Sequence, residues 1–344
     1  MIRLLVLLIG LGLFALVAQQ IDLAEVWERL VDLGALGVLA MAAVFFAAFL
    51  IDTASWQLML PSVRLNGRWL YRLWKVRMVG EALNLVIPAG SLGGEPVKAV
   101  LLKRAHGIGY REGAASLFIA KTVNLLALIA FATIGLALML QDQVLPRSYL
   151  LAAGLGLAAL GLGVGGLYAV QRWGAASFLA RRLLAWRLAA RLAARLEGLL
   201  EHIHEVDDHF ERFYARQPGR FAAALGLALG NWLLGIAELM VVMWFLGVPL
   251  SLAEAWLIET LAQLVRVGFF FIPGSLGATE AVMVLAYDAL LGRPSLGFAV
   301  ALIRRGRELL WVAWGLWLGW LEAPGAFAAL TEPAEGARGA AEES

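Results

Sequence analysis

The sequence predicts an all-α integral membrane protein with about six transmembrane helices and two re-entrant hairpins in an inverted-topology repeat. Three observations support this prediction. The 344-residue chain is 61% hydrophobic and only 16% charged, so it has more apolar surface than one soluble core could bury. It contains several apolar runs long enough to cross a bilayer. Two glycine-rich segments, one in each half of the chain, are near copies of each other.

The candidate transmembrane helices are apolar runs close to the roughly 20 residues that cross a hydrocarbon layer. They lie near residues 2–17, 34–60, 113–140, 149–170, 221–246 and 296–321. The first run is short. We interpret it as an uncleaved helix, because no convincing small-residue cleavage site follows it.

Loop charges predict the orientation of these helices, because cytoplasmic loops carry an excess of Lys and Arg. Segment 64–77 contains five basic residues and no acid, and segment 172–220 is rich in Arg, so we place both in the cytoplasm. The acidic loop after the first helix and the connection 141–148 then lie outside. Both termini are expected to be cytoplasmic, in a bacterial-type cytoplasmic (inner) membrane that the chain crosses several times.

This orientation requires an even number of crossings in 78–102 and in 255–291. The first region is too short for two crossings, which predicts a re-entrant hairpin. The second region is either a hairpin or two crossings, and its likeness to the first favours a hairpin. The two units then run in opposite directions, as in many transporters.

The chain divides accordingly into five segments. They are an N-terminal helix with an acidic external loop (1–33), a first repeat (34–140), a linking helix with a basic amphipathic cytoplasmic segment (141–220), a second repeat (221–321) and a tail expected to be disordered (322–344).

The glycine-rich segments read I-P-A-G-S-L-G-G-E at 87–95 and I-P-G-S-L-G-A-T-E at 272–280. In each, Pro stops the incoming helix and small residues allow an unusual backbone path. A new helix begins beside Ser91 or Ser275, and a helix N-terminus beside a hydroxyl group can bind an anion. Irregular backbone at membrane depth must be buried or line a wet cavity, so we expect the two tips to meet near the midplane.

Many ionisable side chains lie in the apolar stretches, where each costs roughly 2.5–3.5 kcal/mol at a helix centre. We therefore expect them to face the protein interior, with Lys98 and Arg266 adding positive charge at depth. Asp52, Glu81 and Glu238 are candidate proton or counter-ion sites. The predicted substrate-binding residues are Ser91, Gly93, Gly94, Glu95, Lys121, Asn124, Ser275, Gly277, Glu280, Arg304, Arg305, Arg307 and Glu308.

Structural roles are alternatives for several of these residues. Glu95 and Glu280 lie in the first turn of a helix, where a carboxylate stabilises the helix dipole. Arg304 and Glu308 could form a pair on one helix. The tips could serve close packing alone. Three arginines against one glutamate in the last helix nevertheless favour an anionic ligand.

The sequence predicts no metal and no cofactor. The chain contains no Cys, which excludes disulfides and thiolate ligands, and the spacing of His202 and His204 suits a metal poorly. In segment 172–220 arginines alternate with Trp and Leu. This pattern predicts an amphipathic helix that binds anionic lipids of the inner leaflet, not nucleic acid.

The paired motifs, followed by Lys121 with Asn124 and by Arg304 to Glu308, resemble the lysylphosphatidylglycerol synthase transmembrane family, also called flippase-like. The resemblance extends over about 34–321 and includes, as a candidate, a branch associated with hopanoid biosynthesis. It implies a lipid-translocating domain with two re-entrant hairpins. The family's second signature often has Gly-Gly or Gly-Ile where this chain has Gly274-Ser275, a difference that could tune head-group choice.

Synthases in the family carry an additional soluble domain for aminoacyl transfer, and the segments outside the membrane are too short here to form one. We therefore expect no enzyme activity, and a translocase (flippase or exporter) for an amphiphile with an anionic or polar head group, such as a phospholipid, a polyprenyl-phosphate-linked lipid or a hopanoid. A membrane-embedded enzyme acting on a lipid phosphate and an ion-coupled exporter of small solutes remain alternatives. The chain has no phosphate-binding G-x-x-x-x-G-K loop, so transport is expected to be passive or ion-coupled, with Glu81, Glu95, Glu238 and Glu280 as proton carriers to test.

Overall fold

A computed structural model describes residues 11–86, 93–142, 147–172 and 209–322. This part of the chain is helical and contains no β-strand, which confirms the predicted all-α class. Several sequence predictions lie outside the described residues. They concern most of the first apolar run, Ser91 and the first glycine-rich tip, most of the basic segment 172–220, and the tail.

The principal helices are named here in chain order. They are α1 (Leu23–Leu58), α2 (Gly67–Val86), α3 (Glu95–His106), α4 (Tyr110–Asp142), α5 (Arg147–Arg172), α6 (Pro218–Phe245), α7 (Leu252–Gly268), α8 (Ala278–Leu291) and α9 (Pro294–Glu322). Residues 11–18 are also helical, and a short π-helix, Arg212–Arg216, precedes α6.

Four helices are long and apolar enough to cross a membrane: Leu23–Leu58, Tyr110–Leu138, Ala153–Arg172 and Pro218–Phe245. They coincide with four of the predicted transmembrane runs. The predicted run at 296–321 is helical throughout as α9. It carries four charged residues, Arg304, Arg305, Arg307 and Glu308, within its central turns, and this central charge sets it apart from the other four.

Helix α1 changes direction where the sequence changes from acidic to apolar. Its first turn is capped by the Asp22 side chain, which accepts a hydrogen bond from the Ala24 amide at 2.9 Å. Gly34 then takes a left-handed backbone conformation with φ 61°, which breaks the regular helix. The acidic turns before Gly34 are thereby separated from the apolar part that follows.

Both glycine-rich segments join two helices that pack against each other. At a rise of 1.5 Å per residue, α3, α7 and α8 are about 18, 26 and 21 Å long, which is shorter than a hydrocarbon layer of about 30 Å. Helix α2 has 20 residues and is about 30 Å long, because the basic residues from Arg68 to Arg77 belong to the helix and not to a loop. It is therefore longer than the short arm expected for the first hairpin. It also contacts the second tip at Pro273–Ser275.

The helices of the two halves pack against each other directly. The most extensive contact is between α1 and α6, the first helix of each predicted repeat. Helix α9 packs against both α2 and α8, and α4 contacts α6 and α7. Charged residues on α1, α2, α4, α6, α7 and α9 are thereby brought towards one region between the halves.

Close backbone contacts at glycine hold these helices together. Gly94, just before α3, lies against the carbonyl group of Gly80 in α2, and a Cβ atom on Gly94 would overlap that oxygen. On α9, a Cβ atom on Gly315 would overlap the carbonyl oxygen of Met78 in α2. Small residues commonly mediate close helix packing in membranes.

We predict that Gly94→Ala separates α2 from α3 and destabilises the protein by about 3 kcal/mol, the upper part of the usual range for overpacking. Gly156→Ala is the matched control, because a Cβ atom there would meet open space on α5. Unfolding in detergent measures both variants. Equal stability of the two would contradict the packing described here.

Candidate functional site

A cavity of about 390 Å³ lies between the two halves of the chain. Residues of α1, α2, α3 and α4 form one side, and residues of α6, α7 and α9 form the other. Its wall is unusually rich in charge for a membrane protein. It contains six basic residues, Arg77, Lys98, Lys121, Arg266, Arg304 and Arg307, and five acidic ones, Asp52, Glu81, Glu95, Glu238 and Glu259.

On the side of the first half, ion pairs connect α1, α2, α3 and α4. Arg77 of α2 pairs with Asp52 of α1. The Lys98 ammonium group lies 2.7 Å from a Glu81 carboxylate oxygen and 3.1 Å from one of Glu95. These contacts join α2 and α3, the helices on either side of the first glycine-rich segment, to each other and to α1.

Two further groups complete this side. The Lys121 ammonium group of α4 lies 3.3 Å from Glu95. Asn84 donates hydrogen bonds to Glu81 and Glu95 at 3.2 and 3.3 Å, and its side-chain oxygen accepts the Gly94 amide at 2.7 Å. The amide before α3 is therefore already occupied by a protein group.

On the side of the second half, two arginines of α9 share acidic partners. Arg304 lies 2.8 Å from Glu259 of α7 and 3.8 Å from Glu238 of α6. Arg307 also pairs with Glu238. Gln263, one turn after Glu259, donates to that carboxylate at 2.6 Å. The carboxylates of α6 and α7 thus hold α9 in place.

Arg305 and Glu308 lie beside the central cavity. The Arg305 guanidinium donates to Glu280 at 2.7 Å, to the Gly274 carbonyl at 2.9 Å and to Glu308 at 3.0 Å. Arg266 in turn donates to Glu308 at 2.9 Å. Arg305 therefore ties the second tip and α8 to α9.

The charges of this network balance. Adding Arg305, Glu280 and Glu308 to the residues of the wall gives seven basic and seven acidic side chains. The surplus of positive charge inferred from α9 alone is therefore offset by carboxylates on α6, α7 and α8. Sequence position along one helix could not show these partners, because they come from other helices.

The network is unevenly accessible. The Lys121 and Arg266 side chains are 42% and 43% exposed, whereas those of Arg304 and Arg307 are 14% and 8% exposed. Lys121 and Arg266 belong to different halves, and both line the cavity. They can contact a ligand without first exposing a buried pair.

The predicted residues of the second tip have mainly internal contacts. Ser275 is buried in a left-handed conformation, and its hydroxyl group lies 3.3 and 3.5 Å from the carbonyl oxygens of Arg266 and Phe269. The Gly277 amide donates to Glu280 at 2.7 Å. These contacts favour the structural role that the sequence left open for Glu280. Among the described residues, Ser275, Gly277 and Glu280 do not line the central cavity, and neither do Gly93 and Gly94.

Other predicted residues do line the cavity: Glu95, Lys121, Asn124, Arg304 and Arg307, together with Asp52, Glu81 and Glu238. Five further residues line the cavity but were not among the site residues predicted from the sequence: Arg77, Lys98, Glu259, Gln263 and Arg266. Arg77 was assigned to a cytoplasmic loop by its basic neighbours. Glu259, Gln263 and Arg266 lie at spacings of four and three residues on α7, a helical periodicity that could have indicated one polar face.

We predict that Glu238→Gln destabilises the protein by about 3–5 kcal/mol, because it leaves Arg304 and Arg307 without a shared carboxylate. Glu211→Gln is the control, since Glu211 forms an exposed pair with Arg216 and should cost at most about 1 kcal/mol. The double variant Glu238→Gln with Arg307→Gln should recover part of the loss. Equal unfolding of Glu238→Gln and the control in detergent would refute this role.

Comparison with known proteins agrees with this architecture. No curated protein and no solved structure matches the chain. The family model described as the lysylphosphatidylglycerol synthase TM region matches residues 3–315, and the match does not single out the hopanoid-associated branch. With several apolar helices of membrane-spanning length and this match, the protein is a multi-pass membrane protein. The match extends over most of the chain, which therefore belongs to the lysylphosphatidylglycerol synthase TM region family.

Proposed function

We propose that the protein is a lipid translocase that moves an amphiphile with an anionic or polar head group between the two leaflets. The central cavity is the observation that carries this proposal, because it offers a charged site among apolar helices of both halves. Its volume of about 390 Å³ lies within the range of small-molecule sites. Family membership supports a function related to membrane lipids.

The head group binds by exchanging partners within the network. Phosphate or other polar oxygens of the lipid accept hydrogen bonds from Lys121 and Arg266, which otherwise contact Glu95 and Glu308. Such exchange is reversible in this proposal, because Lys121 and Arg266 each have a carboxylate partner to return to when the ligand leaves. A site that bound the head group irreversibly would not release it to the other leaflet.

The inverted repeat supplies the movement in this proposal. The glycine-rich segments act as re-entrant hairpins that enter from opposite sides, and α3, α7 and α8 are short enough for this role. The halves rock around the cavity, with both termini in the cytoplasm of a bacterial-type inner membrane. Segment 172–220 binds anionic lipids of the inner leaflet.

We favour translocation over catalysis on a lipid phosphate. A serine nucleophile needs a base within hydrogen-bond reach. Ser55 lines the cavity, but its hydroxyl group donates to the Ala224 carbonyl at 2.9 Å. Ser275 lies beside backbone carbonyls as well. The carboxylates near the cavity pair with Lys and Arg, an arrangement that suits binding of a polar head group.

We expect Lys121→Gln and Arg266→Gln each to slow translocation of fluorescent phosphatidylglycerol by about tenfold, a loss of roughly 1.4 kcal/mol of binding to the moving head group. Arg293→Gln, at an exposed position between α8 and α9, is the control. The assay is dithionite quenching in proteoliposomes that contain equal amounts of folded protein. Full rates in both cavity variants, with fluorescence spectra and elution like the wild type, would reject the assignment.

For Arg305→Gln we expect a loss of protein stability and not a selective loss of transport, because the partners of Arg305 lie in the second tip, in α8 and in α9.

We further propose that translocation responds to an imposed pH gradient, with Glu95, which contacts Lys121, as the first proton carrier to test. Glu95→Gln should remove most of this response. Glu81→Gln, Glu238→Gln and Glu280→Gln extend the test to the other candidate carriers. A rate that ignores the gradient in the wild type and in all four variants would leave passive movement or another ion.

A further inference from the structure

Two amide side chains line the central cavity and have no partner in the part of the chain that the structure describes. Asn124 lies on α4 and Asn231 on α6, so they come from opposite halves of the protein. Within the described residues, every other polar or charged side chain of the cavity wall makes a hydrogen bond or an ion pair. Both amide groups are half-buried and can bind a ligand without breaking an internal contact.

Asn231 lies where the central cavity meets a second cavity of about 250 Å³, because it lines both. The other polar side chains that the two cavities share are charged, and each has a partner of opposite charge: Asp52, Arg77, Glu81, Arg266 and Arg307. From residue 221 to residue 237, Asn231 alone is neither apolar nor glycine. A polar group in such a stretch of a membrane helix costs free energy unless it reaches water or a partner. Its place in the wall of two cavities therefore points to a ligand.

The two amides share helix faces with charged groups of the network. Asn124 follows Lys121 by three residues on α4, and Asn231 precedes Glu238 by seven residues on α6. Residues at these spacings lie on one face of a helix. The Trp232 indole nitrogen lies 3.4 Å from the Asn124 carbonyl oxygen, so α4 and α6 are in contact at this level. A ligand held by Lys121 therefore has one amide a turn away on α4 and another on the neighbouring helix.

The chemistry of an amide indicates which ligand group it binds. Each amide offers N–H donors and a carbonyl acceptor, so a group that both donates and accepts can satisfy it. A hydroxyl group does both, whereas an ionised phosphate oxygen only accepts and an ammonium group only donates. An ammonium group would also need a carboxylate, and the carboxylates of the cavity wall already pair with Lys and Arg.

We propose that Asn231 and Asn124 bind a hydroxyl group of the lipid head group, so that the protein selects anionic lipids whose head groups carry hydroxyl groups. This inference rests on the proposed function and adds the substrate class. Lys121 and Arg266 contact the anionic oxygens, and the two amides contact the hydroxyl group. A head group of equal charge without a hydroxyl group leaves the amides unpaired and is moved more slowly.

The first test compares two lipids of equal charge in proteoliposomes with the full-length protein. Phosphatidylglycerol carries hydroxyl groups on its terminal glycerol, and phosphatidylpropanol has the same carbon skeleton without them. The wild type should move phosphatidylglycerol about tenfold faster than phosphatidylpropanol. Asn231→Leu keeps the approximate size of the side chain but removes the amide, and it should lower this ratio of rates to about one. A ratio near one in the wild type, or a wild-type ratio in folded Asn231→Leu, would overturn the inference.

Thr133→Val is the matched control, because Thr133 is an exposed polar residue of α4 that lines neither cavity. It should keep the wild-type ratio. A packing defect in Asn231→Leu would slow both lipids equally and leave the ratio unchanged, so the ratio separates recognition from structural damage. If Asn231→Leu does not fold, Asn124→Leu gives the same comparison from α4, and a wild-type ratio in that variant would overturn the inference.

A third lipid tests the choice between a hydroxyl and an ammonium group. Phosphatidylethanolamine should be moved more slowly than phosphatidylglycerol by the wild type. The reverse order would assign the amides to an ammonium group and overturn the inference.

Failure of this inference and failure of the proposed function give different results. If the wild type moves phosphatidylglycerol and phosphatidylpropanol at equal rates, recognition of the hydroxyl group is refuted and translocation stands. If it moves neither lipid, the proposed function fails for these lipids. Native mass spectrometry of the full-length protein with an equal mixture of both lipids then decides the inference. Preferential retention of phosphatidylglycerol that is lost in Asn231→Leu supports it, and equal retention by the wild type overturns it.

Discussion

The ion-pair network between the two halves is the constraint on which the rest of this structure depends. Charged groups at membrane depth are costly unless they pair or reach water, so the helices that carry them must meet. Glu238 of α6 contacts two arginines of α9, and Lys98 connects α2 with α3. The packing of α9 on α2, through the close contact at Gly315, brings the two networks to one cavity.

A network with equal numbers of positive and negative groups has different properties from a cluster of groups that all carry the same sign of charge. Excess positive charge would hold a phosphate tightly, whereas a partly exposed cation such as Lys121 or Arg266 can exchange its internal carboxylate for a ligand at modest cost. The network combines buried pairs with more accessible cations. Arg304 and Arg307 pair with carboxylates of α6 and α7 and are largely buried, whereas the Lys121 and Arg266 side chains are about half exposed.

Much of this arrangement could be predicted from the sequence, and the remainder depends on contacts between distant helices. Apolar runs indicated the main helices, and the cost of buried charge indicated a common polar interior. The sequence did not show that α2 extends through Arg77, because positive charge is typical of both loops and helix ends. Nor did it show that Asn84 and Glu280 occupy the amides at the two tips. Such caps depend on side-chain geometry that residue order does not specify.

The most direct test of the central claim is a lipid analysis of each leaflet, in cells with and without the protein. If the charged cavity is the path of a lipid head group, one class of lipid with an anionic or polar head should change its distribution between the leaflets when the protein is absent. An unchanged distribution of every such lipid, in cells where the protein is otherwise abundant and folded, would contradict the account.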